Sequence, residues 1–306
     1  MPRVEGLRGP YELVGGLMHF GRMVDKMRLH AAGKLPPGYV PFLGESDPTT
    51  FDGRVCRFLK VDYEDLTKQV KQARSDEDLL RWAFSRGHSP SEEESEIFNA
   101  FMMKRGWRDE ASANLRQSAI EVGVDDVATY FDFIDLGEDR PARFSADPPP
   151  CSERIQATAS IEGLRSPYEK VGGIVHFGRM LDKIRIHRAG RLPEAWVAAM
   201  GGDQNYDGIC CRFLGISYEQ ITREVARQTN DEDLLEWAFV HGRRPSQEQI
   251  LIWNAYMTKR NWRDKYSPRL RFRLEEAKMP INAALTMFDF IDLDEGRPLR
   301  DIALDG

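Results

Sequence analysis

Two all-α domains of about six helices each, written in tandem, are the architecture the sequence predicts, and three observations predict it. The 26 residues from Tyr168 to Pro193 recur from Tyr11 to Pro36 with 18 identical positions, the signature of a repeated structural unit. Helix caps and stops punctuate both copies at matching places. A sustained alternation of apolar and polar residues is found nowhere. The 306 residues suffice for two domains of ordinary size, each burying its own core.

The copies are expected over 1–140 and 162–306, joined by a linker over 141–161. Within it, Ala146-Asp-Pro-Pro-Pro-Cys151 cannot continue a helix. Equivalent residues are 157 apart at first, 155 apart from Phe51 and Tyr206, and 157 apart again by Phe131 and Phe288. The length changes therefore fall in two loops, where they are tolerated best. Two homologous units in one chain are expected to pack as a pseudo-symmetric pair, the single-chain counterpart of a two-fold dimer.

In the second copy, Ser166-Pro167 with Glu169 reads as a helix start, and Gly190 with Pro193 as its end, with Gly172-Gly173 breaking the element. On a 100° wheel Ile174, Phe177, Met180, Leu181 and Ile184 form one apolar sector, and Asp182 and Arg185 point away from it. Ser217 with Gln220, and Ser246 with Gln249, fit capping boxes and open two further helices, as Ser91 with Glu94 does in the first copy. Asn230 to Gly242 carries acids on its first turn and glycine at its stop, and Ser75 to Gly87 is its twin. Ile250–Tyr256, Ser267–Ala277 and Ala283–Ile291 complete the set.

Composition narrows the function classes. A hydrophobic content of 41% and a charged content of 30% lie near the globular average. The net charge of -6 opposes broad attraction to nucleic acid or anionic membranes. With no secretory pattern at the start and no run of 18 apolar residues, the expected location is the cytoplasm. Four cysteines occur without a C-x-x-C pair, which indicates neither a zinc knuckle nor a disulfide framework.

The strings His-Phe-Gly-Arg-Met, Asp-Lys-Ile-Arg, Asp-Gly-x-Cys-Cys-Arg-Phe-Leu, Trp-Asn-Ala, Lys-Arg-x-Trp-Arg-Asp and Phe-Asp-Phe-Ile-Asp resemble a bacterial family known only as a domain of unknown function, DUF5069. The resemblance covers both copies almost end to end. It is closer in the second, because the first has Val55 for Cys210 and Phe98 for Trp253. It implies no activity. Members of that family usually carry one such domain, so the tandem arrangement implies that two units pack or work together.

Three clusters could carry chemistry. His176 and His187, with His19 and His30 in the first copy, suit metal binding or proton transfer. Eleven residues apart on a helix is about 16 Å of rise, so they cannot share an ion, and each would need carboxylates such as Asp207 or Asp289. The competing reading is a histidine hydrogen-bonded at a helix interface. Cys211 and Cys56, each followed by an arginine, could be thiolate nucleophiles, or small core residues beside Phe213 and Leu214. Arg179, Asp182, Lys183 and Arg185, with Lys259, Arg260, Arg263 and Asp264 around Trp262, could hold an anion, or stitch helices together as ion pairs. Gly173-x-x-x-x-Gly178 mimics a phosphate loop but continues as Arg179-Met180 where Lys and Ser or Thr are required. Trp237, Phe239, Trp253, Tyr256, Phe288 and Phe290 read as core.

The leading expectation is a binding module for a small anionic ligand, in a polar pocket within a copy or at the seam between copies. Its residues would be His176, Arg179, Lys183, Arg212 and Arg263, with first-copy counterparts His19, Arg22, Lys26, Arg57 and Arg108. The alternatives are an enzyme, metal-assisted through His19 and His176 or nucleophilic through Cys56 and Cys211, and a scaffold that binds proteins through helix faces. No motif names a cofactor.

Overall fold

The computed structural model describes residues 3–73, 75–124, 126–144, 147 and 160–300, and the chain divides after Asp147 into two compact units. Most of the proline-rich stretch, with Cys151, lies outside the described residues. The fold is mostly helical. Among the described residues each unit adds one two-stranded hairpin.

The first unit runs β1 (Leu13–Val14), β2 (Leu17–Met18), α1 (Phe20–Ala31), a 3-10 turn (Pro37–Phe42), α2 (Phe51–Leu59), α3 (Tyr63–Val70), α4 (Asp76–Arg86), α5 (Glu92–Met103), α6 (Ser112–Val122) and α7 (Tyr130–Gly137). The second repeats this order as β3 (Lys170–Val171), β4 (Ile174–Val175), α8 (Phe177–Arg188), α9 (Glu194–Val197), α10 (Tyr206–Leu214), α11 (Tyr218–Val225), α12 (Asp231–His241), α13 (Gln247–Thr258), α14 (Ser267–Glu276) and α15 (Met287–Asp294). The capping boxes at Ser91, Ser217 and Ser246 are formed, and Asn230 and Ser75 cap α12 and α4 as their side chains predict.

Three expectations need correction. The helix read from Ser166 starts only at Phe177. Before it, Lys170 pairs with Val175 and Val171 with Ile174, and Gly172 and Gly173, both at positive φ, make the hairpin turn. Two successive residues at positive φ are the turn that a two-residue hairpin demands, so this Gly-Gly marks a hairpin and not a broken helix. The hairpin is clamped by Asn254, which accepts from Val175 N and donates to Gly173 O. Second, α9 and α10 were not in the expected set. The cysteine-bearing string is itself a helix, starting at Tyr206 after Asn205, whose side chain makes no cap hydrogen bond. Third, α8 is not half-solvated. Phe177, Met180, Leu181 and Ile184 are buried as the wheel predicts, yet Arg179, Asp182 and Lys183 are buried too. Its polar face is lined with ion pairs, a pattern that periodicity alone does not separate from a solvated face.

Gly178 has its own role. A Cβ there would lie 2.8 Å from the Arg165 guanidinium, which crosses α8 to donate to Gly178 O and Asp182 and to pair with Asp231. The resemblance to a phosphate loop is therefore a helix crossing, with the site filled by the chain's own arginine. Of the aromatic residues read as core, Trp253, Tyr256, Phe288 and Phe290 are buried, and Trp253 stacks on Phe213 at 4.4 Å. Trp237 and Phe239 are only half-buried. Among the described residues no helix is long and apolar enough to cross a membrane.

One difference between the units has a measurable consequence. Ser166 Oγ donates to Asp292 Oδ2 at 2.7 Å in the second unit, whereas Gly9 stands at the matching place in the first. Burial pushes the Asp135 carboxyl up to about 6, against Arg140. A group whose folded pKa is raised contributes stability below its unfolded pKa of about 4, and loses it as pH rises through 6. Gly9→Ser, whose Cβ would lie 3.1 Å from Asp135 Oδ1, is expected to supply the missing donor. We expect a gain of about 1 kcal/mol at pH 8 and little at pH 4 in urea unfolding. An equal change at both pH values would contradict it.

Candidate functional site

Each unit is built round a buried carboxylate shared by two bases. Asp207, in the first turn of α10 and fully buried, lies 2.9 Å from His176 Nε2 and 2.7 Å from Lys183 Nζ, and its Oδ2 accepts from Gly201 N at 3.3 Å. Local geometry brings the bases together. His176 is the residue before α8 and Lys183 lies seven positions on, two turns along the same face. Asp207 sits at a helix N-terminus, the end that favours negative charge. The first unit repeats the set with Asp52 against His19 at 3.0 Å and Lys26 at 2.7 Å.

The charge states follow from burial and pairing. Burial opposes ionisation of Asp207, but Lys183 and His176 hold it well below the usual carboxylate range. An ionised carboxylate only accepts, so the His176 proton lies on Nε2 and Nδ1 keeps its lone pair. Burial, partly countered by Asp207, pushes His176 down to about 4, and His19 likewise. Both imidazoles are neutral at pH 7. Both Nδ1 atoms are buried without a hydrogen-bond partner, and both residues hold a left-handed backbone (φ 69 and 65). Such strain costs on the order of 1–3 kcal/mol and persists only where the surroundings impose it.

Arg179, one turn from His176, forks onto Glu295, which also accepts from Trp196 Nε1 at 3.1 Å and pairs with Arg297 at 2.5 Å. In the first unit Arg22, Glu138, Tyr39 and Arg140 take these places. Sequence reasoning missed Glu295 and Glu138. Their signal was available, since they are twins at the 157-residue offset, three residues past the Phe-Asp-Phe-Ile-Asp string.

His176, Arg179 and Lys183 line one wall of a cavity of about 730 Å³ in the second unit. Their charged heads are already committed to Asp207 and Glu295. Arg260, Arg269 and Arg273 also line the cavity. Arg260 is buried, lies over the Tyr266 ring at 3.8 Å and hydrogen-bonds to Tyr256 Oη, and pairs with none of the described carboxylates. Its first-unit twin Arg105 differs: it pairs with Asp109 and with Glu110 at 2.8 Å, and Lys265 stands where Glu110 would be. Arg54, buried over the Phe101 ring at 5.0 Å, occupies the position of Ile209, and Asn114 and Ser118 replace Arg269 and Arg273.

The other sequence candidates lie elsewhere. Arg212 is partly exposed and 3.9 Å from Asp203, Arg57 pairs with Glu45, and Arg263 and Arg108 stack on Trp262 and Trp107. None of the four lines the cavity. Cys211 is buried 3.7 Å from Met180 Sδ, and burial pushes its thiol up to about 12. Cys56 is raised for the same reason. A thiol so placed stays protonated at neutral pH, which is not the setting of a nucleophile. Among the described residues no group of three or more His, Cys, Asp or Glu is placed to hold a metal ion. At Asp207 the Lys183 ammonium takes the position a cation would need.

Fold and site together define a class, a helical unit built twice around a buried histidine, aspartate and lysine. The chain belongs to the family described as domain of unknown function DUF5069, whose model matches it twice, over residues 4–140 and 161–297. Comparison with curated proteins and with solved structures found no match.

Proposed function

We propose that the second unit binds a small organic anion in its cavity, one per chain. The observation that carries this reading is Arg260: a buried guanidinium facing a cavity with no carboxylate partner among the described residues. An uncompensated buried charge is costly, and stacking on Tyr266 offsets only about 1–2 kcal/mol of that cost. An anion in the cavity would complete the site through paired N–H donors. In the first unit Glu110 already supplies the negative charge to Arg105, which is why the proposal assigns one site and not two. His176, Arg179 and Lys183 line the same cavity, paired with Asp207 and Glu295.

Arg260→Met keeps the stem and removes the charge. Titration calorimetry with acetate, benzoate and inorganic phosphate should find the best of these anions weakened about 100-fold, the loss of a charge-assisted bond worth roughly 2–3 kcal/mol. Arg105→Met should leave that affinity unchanged. Equal affinities in wild type and Arg260→Met would defeat the reading.

A further inference from the structure

Resting on that reading, we infer that the ligand of the second unit is an amphiphilic monocarboxylate: one carboxylate head on an apolar body of several carbons. Two observations carry this. The first is a charge count along the cavity wall. Arg179 is matched by Glu295, Lys183 by Asp207 and Arg273 by Glu276. Arg260 is left, buried and with no carboxylate partner among the described residues, while Arg269 is exposed. One buried cation suits a single carboxylate better than a phosphate dianion, and a planar guanidinium matches a carboxylate through two parallel hydrogen bonds.

The second observation is the mismatch between the head group and the space. Acetate or phosphate displaces only a few waters, on the order of 100 Å³ at about 30 Å³ each, whereas the cavity measures about 730 Å³. Beside the arginines, and with the polar Gln204 and Asn205, the lining includes apolar residues: Ala199 just after α9, Ile209 on α10, and Met287, Phe290 and Ile291 on α15, Phe290 lying beneath Arg273. Ligand sites of this size are mostly apolar with a few polar groups that fix orientation. The first unit lacks both halves of the arrangement. Arg54 stands at the position of Ile209, and Arg105 holds its own carboxylates.

The test is a chain-length series of straight carboxylates from acetate to decanoate, with 3-phenylpropionate and inorganic phosphate, titrated against the full-length protein. Affinity should rise with each added methylene, reaching at least tenfold over acetate and phosphate by octanoate, with one site per chain. Ala199→Phe, which fills part of the cavity from an exposed position, should bring octanoate back to the level of acetate. A flat series, or a preference for phosphate, overturns the inference while the Arg260 dependence of binding can stand. Indifference of every anion to Arg260→Met overturns the underlying reading and this inference with it.

Discussion

Asp207→Asn should destabilise the second unit by about 3–5 kcal/mol, the usual consequence of leaving a buried charge without its partner. The substitution preserves size, so packing is kept and the effect is electrostatic. It leaves the Lys183 ammonium with neutral acceptors alone, such as the Ala199 carbonyl at 3.3 Å, in a position where burial already pushes the ammonium pKa down. The measurement is guanidinium unfolding followed by a probe in the second unit, such as Trp253 fluorescence. A second variant separates this cause from a general packing defect. Lys183→Met added to Asp207→Asn removes the stranded charge and should recover a large part of the loss, so that the two changes are strongly non-additive. Additive losses would refute the account.

Acid should weaken the fold at a pH above the one where Asp52 and Asp207 titrate. His19 and His176 are held neutral, with pKa values pushed down to about 4 by burial, whereas an unfolded histidine titrates near 6.5. Between these values the unfolded chain binds a proton that the folded chain refuses, so stability falls as pH drops from 6.5 to 4. At 1.36 kcal/mol per pKa unit the loss approaches about 3 kcal/mol for each histidine. Asp52 and Asp207 act lower: both are depressed by their partners, so the stability they contribute is lost below about pH 4. Asp135 works the other way across part of the window, since its raised pKa favours the folded state toward pH 4. The double variant His19→Gln with His176→Gln should therefore show a flatter profile between pH 6.5 and 4, at some cost in stability at pH 8. Parallel profiles for variant and wild type would count against neutral buried histidines.

How far the candidate site was legible depends on how far apart its parts lie in the chain. His176, Arg179 and Lys183 share a helix face because of their spacing alone, and the same spacing in His19, Arg22 and Lys26 marks the twin. Of their partners, Asp207 was named only as one of two carboxylates for His176, and Glu295 was not read at all. Asp207 lies 31 residues from His176 and Glu295 lies 116 from Arg179, and nothing in local sequence says which carboxylate a buried base will meet. Arg212 and Arg263, named beside His176, Arg179 and Lys183, do not line the cavity, because closeness in a charged or basic string does not fix which way a side chain faces.

The duplication, the helical class and most helix starts were written in the sequence itself, because caps, glycine turns and 3.6-residue periodicity are short-range chemistry that each segment satisfies alone. Which polar faces are buried, and which buried cation is left without a carboxylate among the described residues, only the tertiary structure decided. Arg105 and Arg260 are the same residue type at equivalent positions, and one is neutralised and the other is not. That difference comes from Glu110 against Lys265 and from how the loops bring them round, and burial and pairing are properties of packed segments that no single segment carries.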